Sequence, residues 1–254
     1  MTFESLTLSR IEARPVLLKL ERPVVARIAT IPNWPLILID LHTEEGVVGR
    51  AYLEPYVPRA MRYLVPALQD LGEALKGRRL APLELYDAAR KSLHFVGYEG
   101  LSMIAVAGLD MAVWDALARA AELPLCVLLG GGTGSVPAYN SNGLWLKEPE
   151  AVADEAVELI QEGGFRALKL RLGRDKLAED LATVAVVRTR VGEDIALMVD
   201  FNQGLHLGEA LERCHAIDDL GLAWIEEPIV YDNLEGYVRL TAELKTPIQI
   251  GENF

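Results

Sequence analysis

The chain has 254 residues, 51% hydrophobic and 24% charged, a balance that excludes a disordered or low-complexity protein. Its 25 Lys and Arg against 37 Asp and Glu give a net charge of −12, and no basic run stands out, which argues against nucleic acid or an anionic membrane surface as a partner. The start, MTFESLTLSR, carries no signal-peptide pattern, no apolar stretch is expected to reach the roughly 18 residues of a membrane span, and Cys126 and Cys214 match no metal spacing, so a cytoplasmic protein with two buried thiols is expected.

In chain order, residues 4–20 alternate in the manner of a strand broken by Pro15, and 22–35, with three prolines and no regular period, is expected to be an irregular loop. Residues 36–53 read as a hairpin turning at Glu44-Glu45-Gly46. Helices are expected at about 57–76, 82–95 and 99–121, the last apolar nearly all round and therefore buried between layers. Strands followed by helices indicate an α+β domain over residues 1–130.

After Gly130-Gly131-Gly132 the rhythm changes. Strands are expected at 136–141, 166–171, 195–200, 222–227 and 247–252, with helices at about 149–162, 176–190, 207–219 and 233–244. This alternation predicts a parallel sheet covered by helices. An open sheet and a barrel both fit it, and the polar residues favour the barrel. Lys169, Asp200, Glu226 and Glu252 each close a different strand, and in a barrel those ends converge on one mouth. Charges on otherwise apolar strands are costly to bury unless they coordinate something. Three carboxylates suit a hard divalent cation such as Mg2+, although any one of them could simply cap the following helix. Residues 131–254 hold about five of the eight strands of a (β/α)8 TIM-type barrel, so the chain is expected to be a C-terminally incomplete piece of a longer protein.

Lys169-Leu170-Arg171, Asp200-Phe201-Asn202-Gln203, Trp224-Ile225-Glu226-Glu227-Pro228 and Gly251-Glu252-Asn253 together resemble the enolase superfamily, specifically its mandelate racemase subgroup. The likeness runs from about residue 10 to the end and takes in EEGVVG at 44–49 and GLDMAVWDALA at 108–118. The resemblance implies an α+β capping domain over a barrel, and one Mg2+ held by Asp200, Glu226 and Glu252. It also implies a small-molecule carboxylate substrate that loses its α-proton through an enediolate, and a homo-oligomer. Lys169 would supply positive charge or act as base. The family pattern has a second lysine where this chain has Arg171, and arginine stays protonated. That departure favours one-sided chemistry, the dehydration of a sugar acid or 2-hydroxy acid by a lyase. The alternatives are a racemase or epimerase of a 2-hydroxy acid, an isomerase, and a non-catalytic metal-binding or assembly protein on the same scaffold. The family's other base would lie beyond Phe254.

Asn202 and Glu227 are expected to orient the metal ligands, and Tyr56 and Ser141 to contact substrate. Loops 22–35 and 52–58 are expected to close over the mouth. GGGTG at 130–134 lacks the strand, helix and lysine of a phosphate loop and reads as a turn. The four histidines are expected to be structural or solvated.

Overall fold

The computed structural model describes residues 6–253; residues 4 and 5 of the first expected strand lie outside them. The chain forms two compact units, Met1–Lys19 with Asn33–Ser135, and Leu20–Pro32 with Val136–Phe254.

Three strands, β1 (Leu8–Ala26), β2 (Ala29–Thr43) and β3 (Val48–Leu53), form one sheet in that order. β1 and β2 are joined by a two-residue turn at Arg27-Ile28, so the expected loop over 22–35 is instead the tip of a long hairpin. Val24, Val25, Thr30 and Ile31 favour extended backbone. Proline is compatible with a strand where no ladder N–H is needed, so Pro23 and Pro32 do not interrupt it. Within the first unit, β2 and β3 pair antiparallel from Ile37–Leu53 to His42–Val48. Ile37, Ile39 and Leu41 point into the core, following the period of two. Thr43 closes the turn, its Oγ1 accepting from the Val47 N–H at 2.9 Å.

The sheet's inner face meets α1 (Met61–Leu75), α2 (Pro82–Ser92) and α3 (Leu101–Ala120), followed by the short α4 (Leu125–Leu128). Leu64, Leu68, Leu71 and Leu75 line one side of α1, as a helical period requires. α3 is long and apolar enough to cross a membrane by length and composition alone, which corrects the expectation that no stretch would qualify. Its Ala105, Val106, Leu109, Ala112, Val113 and Ala116 are buried in the first core. β3 approaches α3 so closely that a Cβ at Gly49 would lie 2.1 Å from the Ala112 carbonyl oxygen; only glycine fits there.

In the second unit β4 (Ala167–Arg171), β5 (Ala196–Asp200), β6 (Ile225–Glu226) and β7 (Ile248–Gln249) form a parallel sheet in that order. The helices are α5 (Pro149–Gln161), α6 (Leu177–Val191), α7 (Leu207–Ile217) and α8 (Leu234–Glu243). Leu168, Leu170, Leu197, Val199 and Ile225 pack with Val152, Leu159, Val184, Val187, Cys214 and Leu240 from the helices. The expected strand at 136–141 is reduced to one parallel bridge, Asn140 with Leu168. Residues 131–139 are exposed, and Pro137 has no N–H to give a ladder.

Cys214 is buried but Cys126 is exposed, correcting the expectation of two buried thiols. Burial, then the Asp218 charge, pushes the Cys214 thiol up to about 12. One thiol per native chain, that of Cys126, should therefore react with an aromatic disulfide reagent at neutral pH, and two should react after unfolding. Two fast-reacting thiols in the native protein would contradict the packing around Cys214.

Candidate active site

Alternation along β4 puts Leu168 and Leu170 toward the helices and Lys169 and Arg171 on the opposite face. Parallel register then aligns the strand ends: Arg171 lies beside Asp200, Asp200 beside Glu226, and Glu226 beside Gln249. Lys169, Arg171, Asp200, Glu226 and Glu227 are all buried. The Lys169 ammonium donates to Glu226 Oε1 at 2.5 Å and lies 3.3 Å from Asp200 Oδ2. Arg171 Nε is 3.5 Å from the same Asp200 oxygen, and its guanidinium stands 4.7 Å from the centre of the Trp145 ring.

The carboxylates are held from behind. Trp224 Nε1 donates to Glu226 Oε2 at 2.9 Å. The Asn202 N–H donates to Asp200 Oδ1 at 2.7 Å, and its Nδ2 to Oδ2 at 3.1 Å. Gln203 Nε2 donates to Glu227 Oε2 at 2.7 Å. Asn202, Gln203 and Glu227 have φ of 48°, 61° and 39°, a left-handed conformation that is strained for residues with a side chain.

Desolvation raises the Asp200 carboxyl above its ordinary range; Arg171 and Lys169 oppose this and Glu226 adds to it. Burial likewise raises Glu227, with the Gln203 hydrogen bond opposing and Asp200 and Glu226 adding. Glu252 is exposed as a residue, yet partial desolvation of its carboxyl, then the charges of Glu227, Asp200 and Glu226, push it up too. Four carboxylates facing two fixed cations thus repel one another.

Sequence reasoning places Lys169, Arg171, Asp200 and Glu226 together, and the structure gathers them. Glu252 stands apart from the Lys169 meeting point, though near enough for the charges of Glu227, Asp200 and Glu226 to act on it. The Glu252 N–H makes a long bond to Glu227 Oε1 at 3.4 Å, while Asp200 and Glu226 meet at the Lys169 ammonium. Among the described residues no three His, Cys, Asp or Glu side chains are close enough to hold a metal ion. The chemistry of the donor set nevertheless fits a hard cation: the excess is negative, all donors are oxygen, and the buried Asn202 Oδ1 has no hydrogen-bond partner among the described residues. Ser141 is half-buried beside Asn140. Tyr56 belongs to the other compact unit, edge-on to Trp34 at 5.7 Å.

Two supports of the site lie outside the residues expected from sequence. Asp180, in the first turn of α6, accepts from the N–H groups of Gly173 at 3.0 Å and Arg174 at 3.1 Å, and from Arg213 Nη1 at 2.7 Å. It fixes the loop that follows Arg171. Its signal was an acid on the helix face that also carries Thr183, Val184 and Val187. Trp145, stacked on Arg171, had no local signal.

Two family descriptions match the chain: the mandelate racemase / muconate lactonizing enzyme N-terminal domain over residues 10–130, and the enolase C-terminal domain-like family over 151–254. The crystal structure of an enolase from alpha proteobacterium BAL199 with bound Mg is 68% identical, with a TM-score of 0.96, over 98% of this chain and 70% of that one. An enolase from Bradyrhizobium, complexed with magnesium and mandelic acid, is 38% identical with a TM-score of 0.92, over 98% of this chain and 69% of that one. The L-talarate/galactarate dehydratase of Salmonella typhimurium is 37% identical over 157 residues, 62% of this chain. The chain spans 39% of that enzyme's length.

Proposed function

This chain belongs to the mandelate racemase/muconate lactonizing enzyme family of the enolase superfamily, and from that premise we propose that the whole protein is a Mg2+-dependent enzyme removing the proton α to a carboxylate. The observation that carries this reading is the buried meeting of Lys169, Asp200 and Glu226 at level strand ends. Asp200, Glu226 and Glu252 would hold the ion, with Asn202 and Glu227 orienting them. When bound, Mg2+ supplies positive charge that favours the enediolate over the substrate acid.

The chain's own residues do the rest. Lys169 Nζ takes the α-proton on its face when unprotonated, and when charged it adds to the positive field. Arg171 cannot take a proton at working pH; it binds and stabilises negative oxygen. A base on one face suits dehydration, in which the α-proton and a β-hydroxyl leave a sugar acid as water, better than racemisation, which needs bases on both faces. Ser141 and Tyr56 belong to substrate binding in this reading. The substrate is a small carboxylate, and the enzyme is a cytoplasmic homo-oligomer.

The test is deuterium exchange at the α-carbon, followed by proton NMR, in the whole protein with Mg2+ and a panel of aldaric, aldonic and 2-hydroxy acids. Exchange on one face with loss of water is expected, and a chelator should abolish it. Exchange on both faces would make the enzyme a racemase or epimerase. No exchange with any acid would leave a metal-binding or assembly protein on the same scaffold.

A further inference from the structure

Four buried side-chain nitrogen and oxygen atoms lack a hydrogen-bond partner among the described residues: Trp145 Nε1, Arg171 Nε, Arg171 Nη1 and Asn202 Oδ1. Three of the four are donors, and all three belong to a single stacked pair, the Arg171 guanidinium over the Trp145 ring at 4.7 Å. Trp145 is 6% exposed and Arg171 7%. An orphaned buried donor loses its water partners without replacement, so native proteins hold few of them and rarely several together. Asp200 does not resolve the shortage, since Arg171 Nε stands 3.5 Å from its Oδ2, at ion-pair range but without a hydrogen bond.

The pair is nonetheless well fixed. The Arg171 N–H donates to the Leu144 carbonyl at 3.0 Å, which ties the backbone immediately before Trp145 to the end of β4. Leu144 is itself held left-handed at φ 55°. The indole and the guanidinium are thus both placed by backbone on the face that carries Lys169 and Asp200. We infer that Trp145 Nε1 and Arg171 together form a preorganised donor subsite that takes a carboxylate oxygen of the substrate, making Trp145 a binding and specificity-determining residue. A rigid, water-poor donor pair beside a charged oxygen yields a charge-assisted bond. A neutral alcohol or amide oxygen at the same place would accept only the weaker bond of an uncharged acceptor, so the subsite favours acids. The identity of its ligand as the substrate rests on the function proposed above.

The experiment uses the whole protein with Mg2+, labelled with 15N at tryptophan, and mandelate, L-glucarate and acetate as probes. The indole N–H signal that disappears in Trp145→Phe identifies Trp145. That signal should move downfield on saturation with a carboxylate, and Trp145→Phe, which keeps a ring for the guanidinium, should bind mandelate or L-glucarate about tenfold more weakly by calorimetry. An unmoved signal at saturation, or an unchanged affinity in Trp145→Phe, overturns the subsite. The α-proton exchange of the unmodified protein is read separately. Exchange with an unmoved indole removes the subsite alone, a moved indole without exchange removes the enzymatic reading alone, and failure of all three probes to bind removes both.

Discussion

Lys169→Met should lower α-proton exchange in the whole protein by about 10² to 10⁴, the range of a positioned general base. The same change strips the cation from between Asp200 and Glu226, which lie 3.3 and 2.5 Å from its nitrogen. Removing one partner of a buried ion pair destabilises a protein by roughly 3–5 kcal/mol, so lost activity in that variant alone would be ambiguous. Lys169→Arg separates the two effects: it retains a cation but not a base. It should keep the denaturant midpoint close to that of the unmodified protein and still lose exchange by a similar factor. Exchange at the unmodified rate in Lys169→Arg would take the lysine out of the proton transfer and leave it as a counter-charge.

An equally large effect on stability is expected at Asp180, which takes no part in the proposed proton transfer. Its carboxylate is 1% exposed and accepts two backbone N–H bonds and one from Arg213. Arg213, also buried, is left with Glu209 at 2.8 Å and the Asp175 carbonyl at 3.1 Å once Asp180 is gone. Asp180→Ala should cost about 3–5 kcal/mol, the range for removing one partner of a buried ion pair. The measurement is a urea titration followed by far-ultraviolet circular dichroism, with the transition of the second unit resolved from that of the first. A loss under about 1 kcal/mol, the size of an exposed pair, would mean that the loop after Arg171 is held by something other than this carboxylate.

What the sequence makes legible follows the range of each physical signal. Period-two alternation is local, so LILIDL could be recognised as a strand with Ile37, Ile39 and Leu41 inward, and Lys169 and Arg171 could be put on the opposite face from Leu168 and Leu170. Strand ends are marked by a change from apolar to charged residues, which located Asp200 and Glu226. The hairpin tip at 27–28 is hidden in the sequence because three prolines in 22–35 suggest a loop when considered alone, whereas a strand requires an N–H only where a partner accepts it. The strand at 136–141 was overestimated for the converse reason: extended propensity does not supply a neighbour along its whole length. Partners distant in sequence carry no periodic mark. Asp180 with Arg213, 33 residues apart, and Trp145 over Arg171 could be seen only once the chain was folded.

The left-handed backbone at Asn202, Gln203 and Glu227 sets two selective pressures against each other. Glycine adopts such φ values without the penalty paid by a side chain, a difference on the order of 1 kcal/mol per site. A search for heat-resistant variants would therefore be drawn toward glycine at these three positions. The same side chains are the ones that grip the carboxylates: Asn202 holds Asp200, Gln203 holds Glu227, and Glu227 belongs to the acidic group itself. A library screened for melting temperature and one screened for turnover should diverge at these codons first, and the robust clones of the former should be the poor catalysts. The rim of this sheet is a small region of sequence space in which durability and chemistry call for different amino acids.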